Sequence, residues 1–323
     1  MKILKRLLFL KEYNIIMSNL NIINIVIHHY PCSDGELSAA IFKKYMEDNA
    51  VQSFKFIPWL HELKEKNIDV IKEEIANNND KTVTIYFLDY CPNFNLITEI
   101  KDKVNNIVIL DHHKSACLEF ISNLESYQGD ISNTKIYFNN DKSGCQLTWE
   151  YFYPKIEYPI AVKHIGNRDI WKWDDPDTEP FTCAFPLCFN LSNNLSSEER
   201  LDIYYQLLHI DDKTLKKIID KGKYSIQKMR KECEKLLPKA DFFLDKDIND
   251  RELSVVEIPM TKYHLTKYIT ELVQDKFPEY DVLRLSYQKD GMVVYSVGSY
   301  TTFDEALNRQ AQLEINEGME NTV

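Results

Sequence analysis

Four short segments concentrate the side chains that can bind metals. They are His28-His29-Tyr30-Pro31-Cys32-Ser33-Asp34-Gly35, Asp89-Tyr90-Cys91-Pro92, Asp111-His112-His113, and Asn167-Arg168-Asp169-Ile170-Trp171, which sets an acid beside a base. Carboxylates are hard oxygen donors suited to Mg²⁺ or Mn²⁺, and imidazoles among them tilt selection toward Mn²⁺. Two such ions about 3.5–4 Å apart can share a carboxylate, activate water and stabilise the leaving oxygen of a phosphoryl transfer. The chemistry to expect is metal-assisted hydrolysis of a phosphate ester.

Three of these segments directly follow apolar, β-branched runs. Ile22 to Ile27, Val83 to Leu88 and Ile107 to Leu110 each have the composition of a buried strand, as does Thr134 to Phe138 farther on. Leu37, Ile41 and Tyr45 recur at helical spacing, and Leu60 to Ala76 and Leu96 to Val104 also have helical patterns. Strands alternating with helices predict an α/β domain with a mainly parallel sheet, whose ligand site lies beyond the carboxyl ends of the strands. Residues 145 to 173 give two more helical or irregular segments, and prolines 154, 159, 176, 180 and 186 punctuate the stretch around and after them.

The rest of the chain divides by pattern. Residues 1–20 are expected to be an N-terminal extension, with Met17 as a second possible start, and residues 21–190 the catalytic domain. A charged, helical connector is expected over 191–249 and a small α+β domain over 250–323, with strands in SVVEI, VLRLSY and MVVYSVGSY and a hairpin turn at Lys289-Asp290-Gly291. The chain has 323 residues, 39 Lys and Arg against 50 Asp and Glu, and a net charge of -11. That sign is wrong for gripping long nucleic acid through its backbone, so an anionic substrate should be short or held locally. Seven scattered cysteines with no Cys-x-x-Cys pair read as free thiols of a reducing, cytoplasmic compartment. No stretch approaches the roughly 20 apolar residues that cross a bilayer, and nothing in the sequence sets an oligomeric state.

The segments HHYPCSDGELSAA, FLDYCP, VILDHHKSA, SGCQLTWEYF and GNRDIWKW resemble, in order and spacing, the motifs of the DHH phosphoesterase superfamily. The likeness covers roughly residues 22 to 175 and is greatest to the branch of nanoRNases and cyclic-nucleotide phosphodiesterases. It implies two Mn²⁺ ions, with Mg²⁺ as an alternative, and hydrolysis of a short oligonucleotide. By matching positions, Asp89 bridges the ions, His29 ligates the first, and Asp34, His112 and Asp169 hold the second. His113 faces the scissile phosphate, Asp111 orients the imidazoles, and Arg168 serves phosphate charge or pairs with an acid. Cyclic mono- or dinucleotides, polyphosphate and pyrophosphate are the alternative substrates. A nucleotide-binding scaffold without turnover is the alternative of another class.

Two departures bear on these expectations. Cys32 stands where many members carry a carboxylate, so it is a candidate ligand of a softer kind, or else a packing residue. The family's C-terminal substrate domain carries a run of glycines ending in His, whereas the eight glycines of this chain are never adjacent. His28 is read as a strand-end residue, and His164, His209 and His264 carry no motif. Trp171 and Trp173 are read as packing residues rather than platforms for bases.

Overall fold

A computed structural model describes residues 21–60, 64–247, 249–260, 262–289 and 292–299. The expected N-terminal extension 1–20 lies outside them, as do Asp290 and Gly291 of the expected hairpin turn. The chain divides into two compact units between Gly222 and Lys223.

In the first unit, five parallel strands form one sheet: β1 (Ile22–His29), β2 (Phe54–Trp59), β3 (Thr82–Leu88), β4 (Asn106–Asp111) and β5 (Thr134–Phe138), in the order β2-β1-β3-β4-β5. Alternation along the strands sends Ile23, Ile25, Ile27, Ile85, Phe87, Ile107 and Ile109 to one face. There they pack against α2 (Lys64–Ala76), α3 (Phe94–Ile100) and α4 (Lys114–Ser126). Val26, Leu88, Val108 and Leu110 occupy the other face with Phe42 and Met46 of α1 (Ser33–Asp48) and Phe152 of α5 (Gly144–Phe152). Burial of each such side chain contributes about 1.5–3 kcal/mol. Because both faces are covered, the strands read as continuous apolar runs instead of alternating ones.

Behind α1 lies a helical layer of α5, α6 (Ile160–Asp169), α7 (Thr178–Cys188), α8 (Ser197–Leu207) and the start of α9 (Asp212–Glu234), with Leu37, Trp149, Phe181, Phe185 and Tyr204 in its core. The sheet order puts β1 beside β3, with β2 on the other side of β1. The chain therefore leaves β1 in one direction and returns on the opposite side, opening a crevice at the carboxyl ends of β1 and β3.

The second unit has a four-stranded sheet, β6 (Asp241–Lys246), β7 (Glu252–Met260), β8 (Val282–Lys289) and β9 (Met292–Ser299), in sequential order. β7 and β8 are parallel and joined through α10 (Thr266–Lys276), while β6 and β9 pair antiparallel at the edges. Its core joins Val256, Ile258, Ile269, Val273 and Leu285 to Ile226, Met229 and Cys233 of α9.

Several elements differ from the expectation. β2 escaped notice because it is an edge strand carrying Lys55 and Pro58, a residue tolerated only at such an edge. α7 is helical although Pro180 and Pro186 lie within it. The first sits in the opening turn, where no amide is needed, the second in the closing turn, and Phe181, Ala184 and Phe185 are buried on its inner face. Residues 191–249 are shared between the units. The Arg200 guanidinium donates to Glu36 through Nε at 2.5 Å and Nη2 at 2.6 Å, and the Tyr204 hydroxyl donates to Ser33 Oγ at 2.9 Å, which ties α8 to α1. β6, for its part, pairs with β7.

Candidate metal centre

The crevice between β1 and β3 gathers side chains from five elements. His29 ends β1, and Cys32 is the N-cap of α1, whose first turn carries Asp34. Asp89 follows β3, and its N–H still donates to Leu110 O at 2.9 Å, which carries the sheet ladder one residue past the strand. Asp111 is the last residue of β4, with His112 and His113 in the step down to α4. Asp169 closes α6. Residues 29, 32, 34, 89, 111, 112, 113 and 169 thus meet in one place.

Within this cluster the ligand atoms form compact sets. Those of His29, Cys32 and Asp89 lie within 4.8 Å of one another, as do those of Asp34, His112 and Asp169, and those of Asp89, Asp111, His112 and His113. His112 Nε2 is 3.2 Å from Asp89 Oδ1, 3.2 Å from Asp169 Oδ2 and 3.8 Å from Asp34 Oδ2. His29 Nδ1 is 3.4 Å from Asp89 Oδ2. Asp89 is 1% exposed, yet neither of its carboxylate oxygens has a hydrogen-bond partner. A buried charge left so is costly unless something positive sits beside it.

The backbone is shaped around this carboxylate. Asp89 has φ 55, in the left-handed region that Asp and Asn tolerate better than other L-residues, a strain found mainly at functional sites. A Cβ added to Gly144 would stand 2.5 Å from Asp89 Cβ and 2.6 Å from its Oδ1, so only glycine lets α5 start there. That start also holds Asp34. Oδ2 accepts from the Gly144 N–H at 2.5 Å and Oδ1 from the Cys145 N–H at 3.0 Å, beside a capping box between Ser143 and Gln146.

The electrostatics follow from three carboxylates crowding one imidazole. Burial opposes ionisation of Asp89, but the imidazoles of His112 and His29 beside it outweigh that and hold the carboxyl well below the usual range. Burial, then the charge of Asp89, pushes Asp34 and Asp169 upward. His112 is opposed by burial but raised to about 9 by Asp89, Asp34 and Asp169. Burial, followed by Asp89 and Asp34, drives the Cys32 thiol up. A divalent cation inverts this arrangement, because it compensates charges that otherwise repel. The carboxylates and imidazoles fit hard divalent ions, with Cys32 as the one soft donor.

Asp111, fully buried, does not face the crevice freely. Its Oδ1 accepts from His113 Nδ1 at 2.7 Å and its Oδ2 from the Cys117 thiol at 3.4 Å, so it orients His113 and raises its pKa. Cys91, Asp111 and Cys117 also form a compact set, but all are buried and the Cys91 thiol donates to Pro92 O and Ala116 O. His28 is buried against Phe56 and Tyr30, a strand-end packing residue. Arg168 is exposed, and its charge favours ionisation of the neighbouring Asp169 without a direct ion pair between them. Trp171 is 74% exposed, so the reading of it as a packing residue does not hold, whereas Trp173, 38% exposed, is covered over most of its surface.

Sequence reasoning missed three supports of the site: the Cys117 thiol on Asp111, the amides of α5 on Asp34, and the Glu36–Arg200 pair that fixes α1. Only the glycine of SGCQ, directly before a helical run, carried a local signal.

No family model matches the sequence. An uncharacterized protein of Acanthamoeba polyphaga mimivirus is 30% identical over 217 residues, 64% of this chain and 48% of that protein. The chain thus spans about half the length of the curated relative it matches. Among solved structures, an exopolyphosphatase-related protein from Bacteroides fragilis is 16% identical with a TM-score of 0.36, over 92% of this chain and 93% of its own. CDC45 from Entamoeba histolytica is 9% identical with a TM-score of 0.46, over 95% and 92%. At these TM-scores neither likeness extends an activity to this chain. Among the described residues, no helix is long and apolar enough to cross a membrane.

Proposed function

We propose that this chain is a divalent-metal-dependent phosphoesterase acting on short oligonucleotides. The observation that carries the reading is the Asp89 carboxylate, buried without a hydrogen-bond partner between the imidazoles of His29 and His112. His29, Cys32 and Asp89 would hold one ion and Asp34, His112 and Asp169 a second, with Asp89 shared. Bound there, two Mn²⁺ ions would supply activation of water and neutralisation of phosphoryl charge.

The chain's own groups do the rest. His113, 44% exposed, is fixed through Nδ1 by Asp111, leaving Nε2 to hold a proton at the phosphate or pass it to the leaving oxygen. Arg168 offers an exposed guanidinium for phosphate charge. The net charge of -11 disfavours long strands and suits a substrate of few phosphates. The motif resemblance of residues 22 to 175 supports the same substrate class.

The test is release of mononucleotide from a labelled dinucleotide with Mn²⁺, beside cyclic nucleotides, polyphosphate and longer strands. Turnover greatest on the dinucleotide and abolished by chelation is expected. Full activity after exhaustive chelation, or tight binding without turnover under saturating Mn²⁺, overturns the reading.

A further inference from the structure

α6 ends at Asp169, and the chain leaves it as Ile170-Trp171-Lys172-Trp173. The exit is a Schellman motif, in which the Trp171 N–H donates to Arg168 O at 3.1 Å and the Lys172 N–H to Asn167 O at 2.7 Å. Its left-handed position, φ 56, is held by Trp171, where glycine is the usual occupant and a bulky side chain is disfavoured. The same indole is 74% exposed. Neither local backbone preference nor burial accounts for a tryptophan there.

The surroundings narrow what this indole meets. Trp173 stands beside it, 38% exposed, with ring centroids 6.0 Å apart at 76°. The other two tryptophans, Trp59 and Trp149, are buried at 1% and 4%. Arg168 and Lys172 are both exposed, and neither makes an ion pair with a described residue. Of the nearby acids, Asp175 is engaged by Lys163 at 2.5 Å, Asp169 lies beside Arg168 and feels its charge, and Asp174 is exposed. Two residues of chain reach at most about 7 Å, so Trp171 adjoins Asp169 and the metal-ligand cluster. Exposed aromatics interleaved with cations match a single strand, whose bases stack while its phosphates meet positive charge.

We propose that Trp171 and Trp173, flanked by Arg168 and Lys172, form a stacking platform for a nucleobase of a short single-stranded oligonucleotide whose phosphate lies at the metal centre. This assignment rests on the phosphoesterase reading and names how that site takes hold of its substrate. Recognition is through the π-face of the base, so it tolerates sequence and fails for phosphate chains that lack bases.

The test is binding to the full chain, without turnover. In the unmodified protein, a phosphorothioate-linked dinucleotide should shield tryptophan fluorescence from iodide, because the two exposed indoles are the ones iodide reaches. Its abasic counterpart and inorganic tripolyphosphate should not. By calorimetry, Trp171→Ala with Trp173→Ala should weaken dinucleotide binding about tenfold or more while leaving the abasic compound unaffected. Trp171→Phe should retain most of the affinity. Equal shielding by the abasic compound, or unchanged affinity in the double variant, overturns the platform. If the double variant fails to fold, the iodide comparison decides alone. Shielding by the dinucleotide in a chain that hydrolyses nothing keeps the platform and sinks the phosphoesterase reading. Hydrolysis with an unchanged KM in Trp171→Ala does the reverse.

Discussion

Replacing Asp89 by Asn removes one charge and almost nothing else. Asn matches the volume, tolerates the left-handed backbone at φ 55, and leaves the β3 ladder intact, so the fold should survive. In the chelated protein His112 and His29 hold the Asp89 carboxyl ionised, a stabilisation that Asn forgoes and that relief of repulsion with Asp34 and Asp169 offsets only in part, so the variant should be modestly less stable. Metal adds a larger difference. A single site filled at a hundredfold excess over its dissociation constant stabilises by about 2.7 kcal/mol, which for a unit of roughly 200 residues raises Tm by about 5–10 °C. Asp89→Asn should lose most of that shift, since the carboxylate proposed to serve both ions is gone. Turnover on a dinucleotide should fall roughly 10²-fold or more, the order found when a main electrostatic element is removed. Thermal scans of both proteins with chelator and with Mn²⁺, beside the turnover assay, give the answer. A folded Asp89→Asn protein that keeps both its metal-induced shift and its rate would show that Asp89 is only a turn residue.

Three further outcomes are expected. Cys32→Asp supplies a charged oxygen beside His29 and Asp89, so half-saturating Mn²⁺ should fall in a thermal-shift titration. An unchanged titration means that the thiol only packs. Gly144→Ala drives a methyl group against Asp89 and should abolish the metal-induced shift, whereas a full shift would show that α5 can move aside. His28, buried and neutral, has its pKa lowered by burial from 6.5 to about 4. The folded state therefore resists a proton that the unfolded chain takes up, and stability present above pH 6.5 is lost as pH falls toward 4, by about 3 kcal/mol. In chelator, His28→Phe should lose correspondingly less stability over that window, and parallel pH curves for the two proteins would contradict the burial argument.

Local sequence determined what local physics controls. Runs such as IINIVI and VTIYFL become strands because they are apolar and β-branched, and acids and histidines at their ends fall at the ligand edge of a parallel sheet whatever the strand order. What needed the tertiary structure depends on residues far apart in sequence. Glu36 finds Arg200 164 positions away, and Asp34 takes amides 110 and 111 positions on. β2, an edge strand with a proline, is fixed by pairing to β1 and not by its own pattern. Trp171 and Trp173 look like core residues to composition, since indoles are usually covered. Only the packed chain decides which apolar groups find cover, because burial is a property of neighbours brought together by the fold and not of the residue itself.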